Sequence, residues 1–188
     1  MNHEKVEGLI RELLIELGED PNREGLLKTP SRVASAYEFL TKGYRENIDA
    51  VVNNAVFESA SNNMIIVRDI EVYSLCEHHM LPFFGRCHIG YIAKDKVLGV
   101  SKLARIADLY ARRLQIQERL TAQIAHEIAN ITNAEGVGVI MECKHLCMMM
   151  RGVEKQNSTM TTSSVLGSFH DNLATREEFL RLIGKTTA

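Results

Sequence analysis

Residues 64–72 read MIIVRDIEV and residues 87–92 read CHIGYI, and both stretches are rich in β-branched residues. This composition predicts two strands. Two helical patterns follow, with apolar residues every three or four positions: Leu103, Ile106, Tyr110 and Leu114, then Leu120, Ile124, Ile128 and Ile131. Residues 137–151 and 159–169 predict two further strands. Strands on both sides of a helical pair indicate an α+β fold with a largely antiparallel sheet.

Two helices are predicted before this sheet. Residues 4–17 carry an apolar helical stripe, and Gly18 can end that helix. Thr29 followed by Pro30 is typical of a helix cap and a first helical position. We expect the second helix to begin there and to stop near Gly43.

The remaining segments set the predicted domain boundaries. Residues 45–63 are polar and predict a connection. Near the C-terminus, Thr175 with Glu178 three residues later predicts the cap of a last helix. We therefore predict an N-terminal helical extension, 1–62, followed by a catalytic domain, 63–188.

The composition limits the classes of function. The chain has 188 residues, of which 45% are hydrophobic, so one domain with a buried core and an extension is expected. The formal net charge is −2, which gives no sign of nucleic-acid binding. No apolar run approaches the ~20 residues that cross a bilayer, and the N-terminus lacks the features of a signal peptide. We expect a cytoplasmic protein without nucleic-acid or membrane partners.

Two clusters contain side chains that bind metals. Residues 74–79 read SLCEHH and residues 143–147 read CKHLC. Alternate residues of a strand share a face, so Cys143, His145 and Cys147 would point the same way. Sulfur and imidazole from two separate clusters suit tetrahedral zinc.

The number of ligands indicates a catalytic zinc. Cys76 and His79, with one distant cysteine, give a Cys₂His set that leaves a position for water, whose pKa can fall to about 7. Spacing alone does not choose between Cys143 and Cys147, or between His78 and His79. A structural zinc, or core cysteines beside surface histidines, are the alternatives.

A basic cluster follows Gly99 and predicts a phosphate site. Ser101, Lys102 and Arg105 open a helix, whose first turn offers free N–H groups to an anion. Arg151 follows the second cysteine cluster, so we expect it near the metal. Taken singly, a lysine or arginine on a helix usually lies on a solvent-exposed face and binds no ligand. Glu118 lies at the start of the second helix, where an acidic residue usually only stabilises the helix dipole.

Five motifs, in family order and covering nearly the whole chain, resemble GTP cyclohydrolase I: NREGLLKTPSRVA (22–34), SLCEHHMLPFFG (74–85), GVSKLAR (99–105), QERLT (117–121) and HLCMMMRGV (145–153). The resemblance implies the tunnelling fold, an antiparallel sheet with a helical pair on one side. It also implies that the chain opens the imidazole ring of GTP at C8. Formate would be released and 7,8-dihydroneopterin triphosphate formed, as the first step of folate and biopterin synthesis.

The resemblance also implies roles for single residues. Cys76, His79 and Cys147 would hold one zinc ion per chain, with His78 as the acid/base and His145 as a second imidazole. GTP would be held by Glu118 and Gln117 at guanine, Ser101 near the ribose, and Lys102, Arg105, Arg151 and a neighbouring subunit's Arg32 at the phosphates.

The family assembles as a homodecamer of two pentamers, with sites at the subunit interfaces. The same assembly is therefore expected here. The resemblance leaves open whether a regulatory protein or an allosteric effector acts on the chain.

The departures from the family motifs are few. Cys143 stands where the family motifs have a small residue, and it offers the metal a competing thiolate. Cys87 is a second cysteine that the family motifs do not require. One alternative function is another purine or pterin enzyme of the same fold, which would explain Glu118 without the full ligand set. Another is a non-catalytic binding protein with a structural zinc. The absence of the H-x-E and P-C-x-x-C motifs argues against a zinc base deaminase.

Overall fold

The computed structural model describes residues 1–60 and 62–184. The chain divides into two compact units, Met1–Lys42 and Gly43–Ala188. The boundary predicted from the sequence lies after residue 62, where the catalytic domain would begin. That boundary stays a proposal.

The first unit is a pair of helices, α1 (His3–Glu16) and α2 (Thr29–Leu40), which pack against each other. The Asn2 side chain caps α1 by accepting from Lys5 N, and Gly18 follows the helix with φ +85°. The expected cap of α2 is wrong by one residue. Lys28 precedes the helix without a side-chain cap, and Thr29 is already helical.

A 3-10 turn, Lys42–Tyr44, spans the boundary at Gly43, where the second unit begins. Its helices are α3 (Ile48–Val52), α4 (Val100–Ala111), α5 (Gln117–Thr132), α6 (Leu146–Met149), α7 (Ser168–Asp171) and α8 (Leu173–Leu182). Its strands are β1 (Val56–Glu58), β2 (Met64–Cys76), β3 (Pro82–Ile92), β4 (Lys96–Leu98), β5 (Leu114–Gln115), β6 (Gly136–His145) and β7 (Met160–Gly167). Within the described ranges, no helix is both long and apolar enough to cross a membrane.

A five-stranded sheet in the order β5-β2-β3-β6-β7 forms the centre of this unit. Its pairs are antiparallel except for the short parallel pair of β5 with β2. The strands β2 and β3 extend beyond the predicted ranges and end facing each other at Leu75 and Pro82. The residues between these two strands therefore lie in a turn at one end of the sheet.

The helices α4 and α5 cover one face of the sheet. Their apolar stripes are buried with alternate strand residues in one core: Leu103, Ile106, Leu120, Ile124 and Ile128 with Val72, Phe83, Cys87, Ile89, Val139 and Met141. Full burial of each leucine or isoleucine contributes about 1.5–3 kcal/mol. The opposite face is covered by Phe169 and Phe179 where Gly90 and Gly138 make room for their rings. An antiparallel sheet with a helical pair on one side confirms the predicted α+β tunnelling fold.

Four local predictions are wrong. Leu114 lies in β5 after α4 ends, and β6 ends at His145, not residue 151, because the chain turns into α6. The strand β7 ends at Gly167, not residue 169, and Phe169 is buried in α7. The last helix is capped by Asn172, whose side chain accepts from the amides of residues 174 and 175. A stronger acceptor before Thr175 therefore sets that helix start.

The segment 45–63 is not only a connection. Asn47 caps α3 by accepting from Asp49 N, and Asn53 ends the helix at φ 47°. The strand β1 then pairs with β4. These asparagines act as helix boundaries, which local polarity alone does not reveal.

Candidate metal and substrate site

Three predicted ligands converge at the end of the sheet. The ligand atoms of Cys76, His79 and Cys147 lie within 4.8 Å of one another. Cys76 is the last residue of β2 and is buried, His79 lies in the following turn, and Cys147 is half-buried in α6. The turn of the chain from β6 into α6 places the Cys147 sulfur beside the other two groups.

A closed turn brings His79 back towards Cys76. Cys76 N donates to Leu81 O at 2.8 Å, and Met80 N donates to Cys76 O at 2.7 Å. Met80 has a left-handed φ of 55°. These bonds fold the segment between β2 and β3 onto the end of the strand.

Both adjacent histidines lie near the Cys76 sulfur. His78 Nδ1 is 3.8 Å from Cys76 Sγ, and the two imidazole rings are edge to face with centroids 6.4 Å apart. The group with mutually close ligand atoms contains His79. His78 is exposed beside it, where a proton donor could reach a bound molecule.

The remaining two cysteines belong to the core. Burial raises the pKa of Cys143 to about 12, and it also raises the pKa of Cys87. Both are therefore protonated thiols at neutral pH. The pKa of Cys147 is raised by burial and by the neighbouring Cys76, whereas Arg151 acts to lower it.

Arg151 lies against the metal-binding group. Its Nη1 donates to His79 Nε2 at 2.8 Å, and the side chain is exposed. Because a guanidinium only donates, Nε2 is the acceptor in this contact. The sequence predicted that Arg151 lies near the metal ligands, and in the structure it contacts one of them, His79.

His145, at the end of β6, is held on two sides. Its ring stacks on Phe83 with centroids 4.7 Å apart and planes 5° from parallel. Its Nε2 lies 2.8 Å from Gln117 Oε1. Burial lowers the pKa of His145, and the charge of Glu118 acts in the opposite direction. Glu118, exposed on the first turn of α5, therefore lies within electrostatic range of this imidazole.

The predicted phosphate ligands on α4 form no hydrogen bond with the metal-binding group within residues 1–60 and 62–184. Ser101 and Arg105 are exposed, and Lys102 Nζ donates to Val51 O of α3 at 2.9 Å. Arg32 is exposed on α2, in the first unit.

An ion pair that no sequence motif predicted braces the turn that carries the histidines. Arg119 Nη2 donates to Glu77 Oε2, and its Nε donates to Gln115 Oε1 at 3.0 Å. The Glu77 amide also donates to Gln115 O at 3.0 Å. The turn that carries His78 and His79 is thereby tied to the start of α5. Glu77 and Arg119 lie within two quoted motifs, but their pairing depends on the fold.

Comparisons with known proteins give a solved structure, sequence relatives and a family model. A solved structure of the archaeosine synthase QueF-Like in the apo form matches with a TM-score of 0.46 and 16% identity, over 58% of this chain and 97% of that one. GTP cyclohydrolase 1 of Methylococcus capsulatus is 61% identical over 183 residues, 97% of this chain and 99% of that protein. GTP cyclohydrolase 1 of Teredinibacter turnerae is 63% identical over 175 residues, 93% and 95% of the two chains. The GTP cyclohydrolase I family model matches residues 6–184. The chain belongs to the GTP cyclohydrolase I family.

Proposed function

We propose that this chain is a zinc-dependent hydrolase that opens the imidazole ring of GTP at C8. It releases formate and forms 7,8-dihydroneopterin triphosphate, the first step of tetrahydrofolate and tetrahydrobiopterin synthesis. The observation that carries the proposal is the convergence of Cys76, His79 and Cys147 within 4.8 Å, in a chain of this family. Two thiolates and one imidazole are a donor set of catalytic zinc.

The three ligands support zinc binding with an open position. Structural zinc sites usually have four protein ligands, whereas this group has three. Bound there, one zinc ion per chain supplies Lewis acidity and lowers the pKa of a water molecule to about 7. The free thiols also favour a reducing compartment, so the proposal includes a cytoplasmic location.

His78 and His145 are the proposed proton-transfer groups. His78 is exposed beside the metal-binding group and donates a proton to the ring nitrogen that departs when the imidazole of guanine opens. His145 is fixed by Phe83 and Gln117, so its ring presents a constant edge to the substrate. A positioned acid or base of this kind contributes about 10²–10⁴-fold to the rate.

Glu118 is the proposed guanine ligand. The N1–H and 2-amino groups of guanine are two donors that one carboxylate accepts together, whereas adenine presents an acceptor at N1. A site built to bond these donors rejects a base that lacks them by about 10⁴-fold. The electrostatic effect of Glu118 on His145 supports a common pocket for the base and the imidazole.

The triphosphate is proposed to lie among Arg151, Lys102 and Arg105, with Ser101 near the ribose and Arg32 contributed by a neighbouring subunit. The proposed assembly is a homodecamer of two pentamers with sites at the interfaces. The exposure of Ser101 and Arg105 leaves both side chains accessible to a nucleotide or to a second subunit.

The function is tested by incubating the purified, zinc-loaded chain with GTP. We expect one formate per GTP and a pterin that becomes fluorescent after oxidation. ATP serves as the control substrate and should react about 10⁴-fold more slowly. A protein that holds zinc but releases no formate from GTP would contradict the proposal in favour of a binding protein.

Arg105→Ala and Arg151→Ala should each weaken GTP binding by about 2 kcal/mol, because a charge-assisted contact to phosphate is lost. The loss should shrink at high salt, since ions screen the parent's exposed charges. Binding is measured by titration with GTP and with guanosine, and only GTP should be affected. Arg181→Ala, an exposed arginine of α8, is the charge-matched control. Equal losses for GTP and guanosine would show that neither arginine holds phosphate.

A further inference from the structure

The side-chain amide of Gln117 has only one orientation that satisfies its surroundings. Its Nε2 lies 3.0 Å from Met141 O, 3.0 Å from Met160 O and 3.0 Å from Thr162 Oγ1. Two of these atoms are backbone carbonyls, which only accept. The NH₂ end therefore faces them, because the flipped amide would place its oxygen against two other carbonyl oxygens.

Two threonine hydroxyls complete a hydrogen-bonded circuit that agrees with this orientation. Thr121 Oγ1 donates its one hydrogen to Gln117 O at 2.7 Å. Thr162 must then donate to Thr121 Oγ1, which lies 2.7 Å away. The Thr162 oxygen is left to accept from Gln117, as the distances require. The two hydrogens of the Gln117 amide are shared among three acceptors, Met141 O, Met160 O and Thr162 Oγ1, so one hydrogen is bifurcated.

The orientation of the amide decides the tautomer of His145. Gln117 Oε1, the acceptor end, lies 2.8 Å from His145 Nε2. In the neutral ring, Nε2 must therefore carry the hydrogen, and Nδ1 must carry the lone pair. Stacking on Phe83 restricts rotation of the ring about this bond.

We propose that Gln117 is a positioning residue that holds neutral His145 as its Nε2–H tautomer, so that Nδ1 is the ring nitrogen that exchanges a proton with the substrate. The catalytic part of this inference rests on the proposed function, but the tautomer does not. Gln117 is 1% exposed and its amide is bonded at both ends within the protein. These bonds favour a role behind His145 over the guanine contact that the family resemblance implied.

The two roles of Gln117 predict different kinetics. Gln117→Met removes the hydrogen bonds at similar volume. If Gln117 positions His145, kcat for GTP should fall about 10²-fold, the lower end of what a positioned acid or base contributes, with KM within about threefold. If Gln117 binds guanine, KM should rise while kcat holds, and this result would overturn the proposal. Thr132→Val, which removes a fully buried hydroxyl from the far end of α5, controls for general loss of stability.

The tautomer itself is measured on the unmodified protein, so the test does not depend on whether the variant folds. Solid-state ¹⁵N spectra of zinc-loaded, [¹⁵N]histidine-labelled chain distinguish a protonated from an unprotonated ring nitrogen, and loss of a signal in His145→Asn assigns the residue. We expect a protonated Nε2 and an unprotonated Nδ1. The reverse tautomer, or an equal mixture, would overturn the proposal. If GTP yields no formate, the proposed function fails, and the spectra still decide the tautomer.

Discussion

Cys147→Ala should lose both zinc and GTP turnover, whereas Cys143→Ala should retain both. Cys147 supplies one of three converging ligand atoms, so its removal leaves two protein donors. Loss of a group that merely supports a ligand typically costs 10–100-fold in metal affinity or activity, so loss of the ligand itself should cost at least about 10³-fold. Cys143 is 1% exposed, and burial keeps it a protonated thiol.

Zinc per chain, measured by mass spectrometry after dialysis, is the deciding quantity, with formate release from GTP as the second. Cys143→Ala is the matched control, because each variant removes one thiol and the two cysteines are only four residues apart in the sequence. The parent and the Cys143 variant should each hold about one zinc per chain. A Cys147 variant that still held one zinc per chain would exclude Cys147 as a ligand.

This pair of cysteines also shows where sequence reasoning reached its limit. The alternation of Cys143, His145 and Cys147 predicted one strand face. The chain instead leaves the strand after His145, and Leu146–Met149 (LCMM) forms one helical turn. An apolar segment this short is compatible with strand or helix, so periodicity could not choose. The family motif pointed to Cys147, and the fold brings that sulfur to Cys76 and His79.

The fold was more predictable than the site. The helices α4 and α5 were recognised because long apolar stripes with a helical period leave little ambiguity. The contacts that organise the site join residues far apart in sequence, such as Glu77 with Arg119 and Lys102 with Val51. No local pattern encodes them. Gln117 is another case, since the family resemblance implied a guanine contact and gave no sign of its hydrogen bond to His145.

The second large effect should separate His78 from His79, which differ little in the sequence. His79→Ala removes a ligand atom of the converging group, so the variant should be zinc-poor and inactive. His78→Ala retains all three ligands and should hold about one zinc per chain. It should also bind GTP almost normally, because Glu118 and the arginines are unchanged. Its turnover should nevertheless fall about 10²–10⁴-fold, the usual contribution of a positioned proton donor.

The two outcomes are distinguished by measuring zinc content, GTP affinity and kcat on the same samples. His78→Gln is a useful companion, because its amide keeps a polar side chain of similar length but cannot transfer a proton near neutral pH. If His78 is the acid, both substitutions should retain zinc and both should be slow. His78 Nδ1 is 3.8 Å from Cys76 Sγ, so His78 also lies close enough to be considered as the zinc ligand. That assignment predicts a different result. A zinc-free His78→Ala beside a zinc-loaded His79→Ala would exchange the two roles, with His79, now the proton donor, held by Arg151.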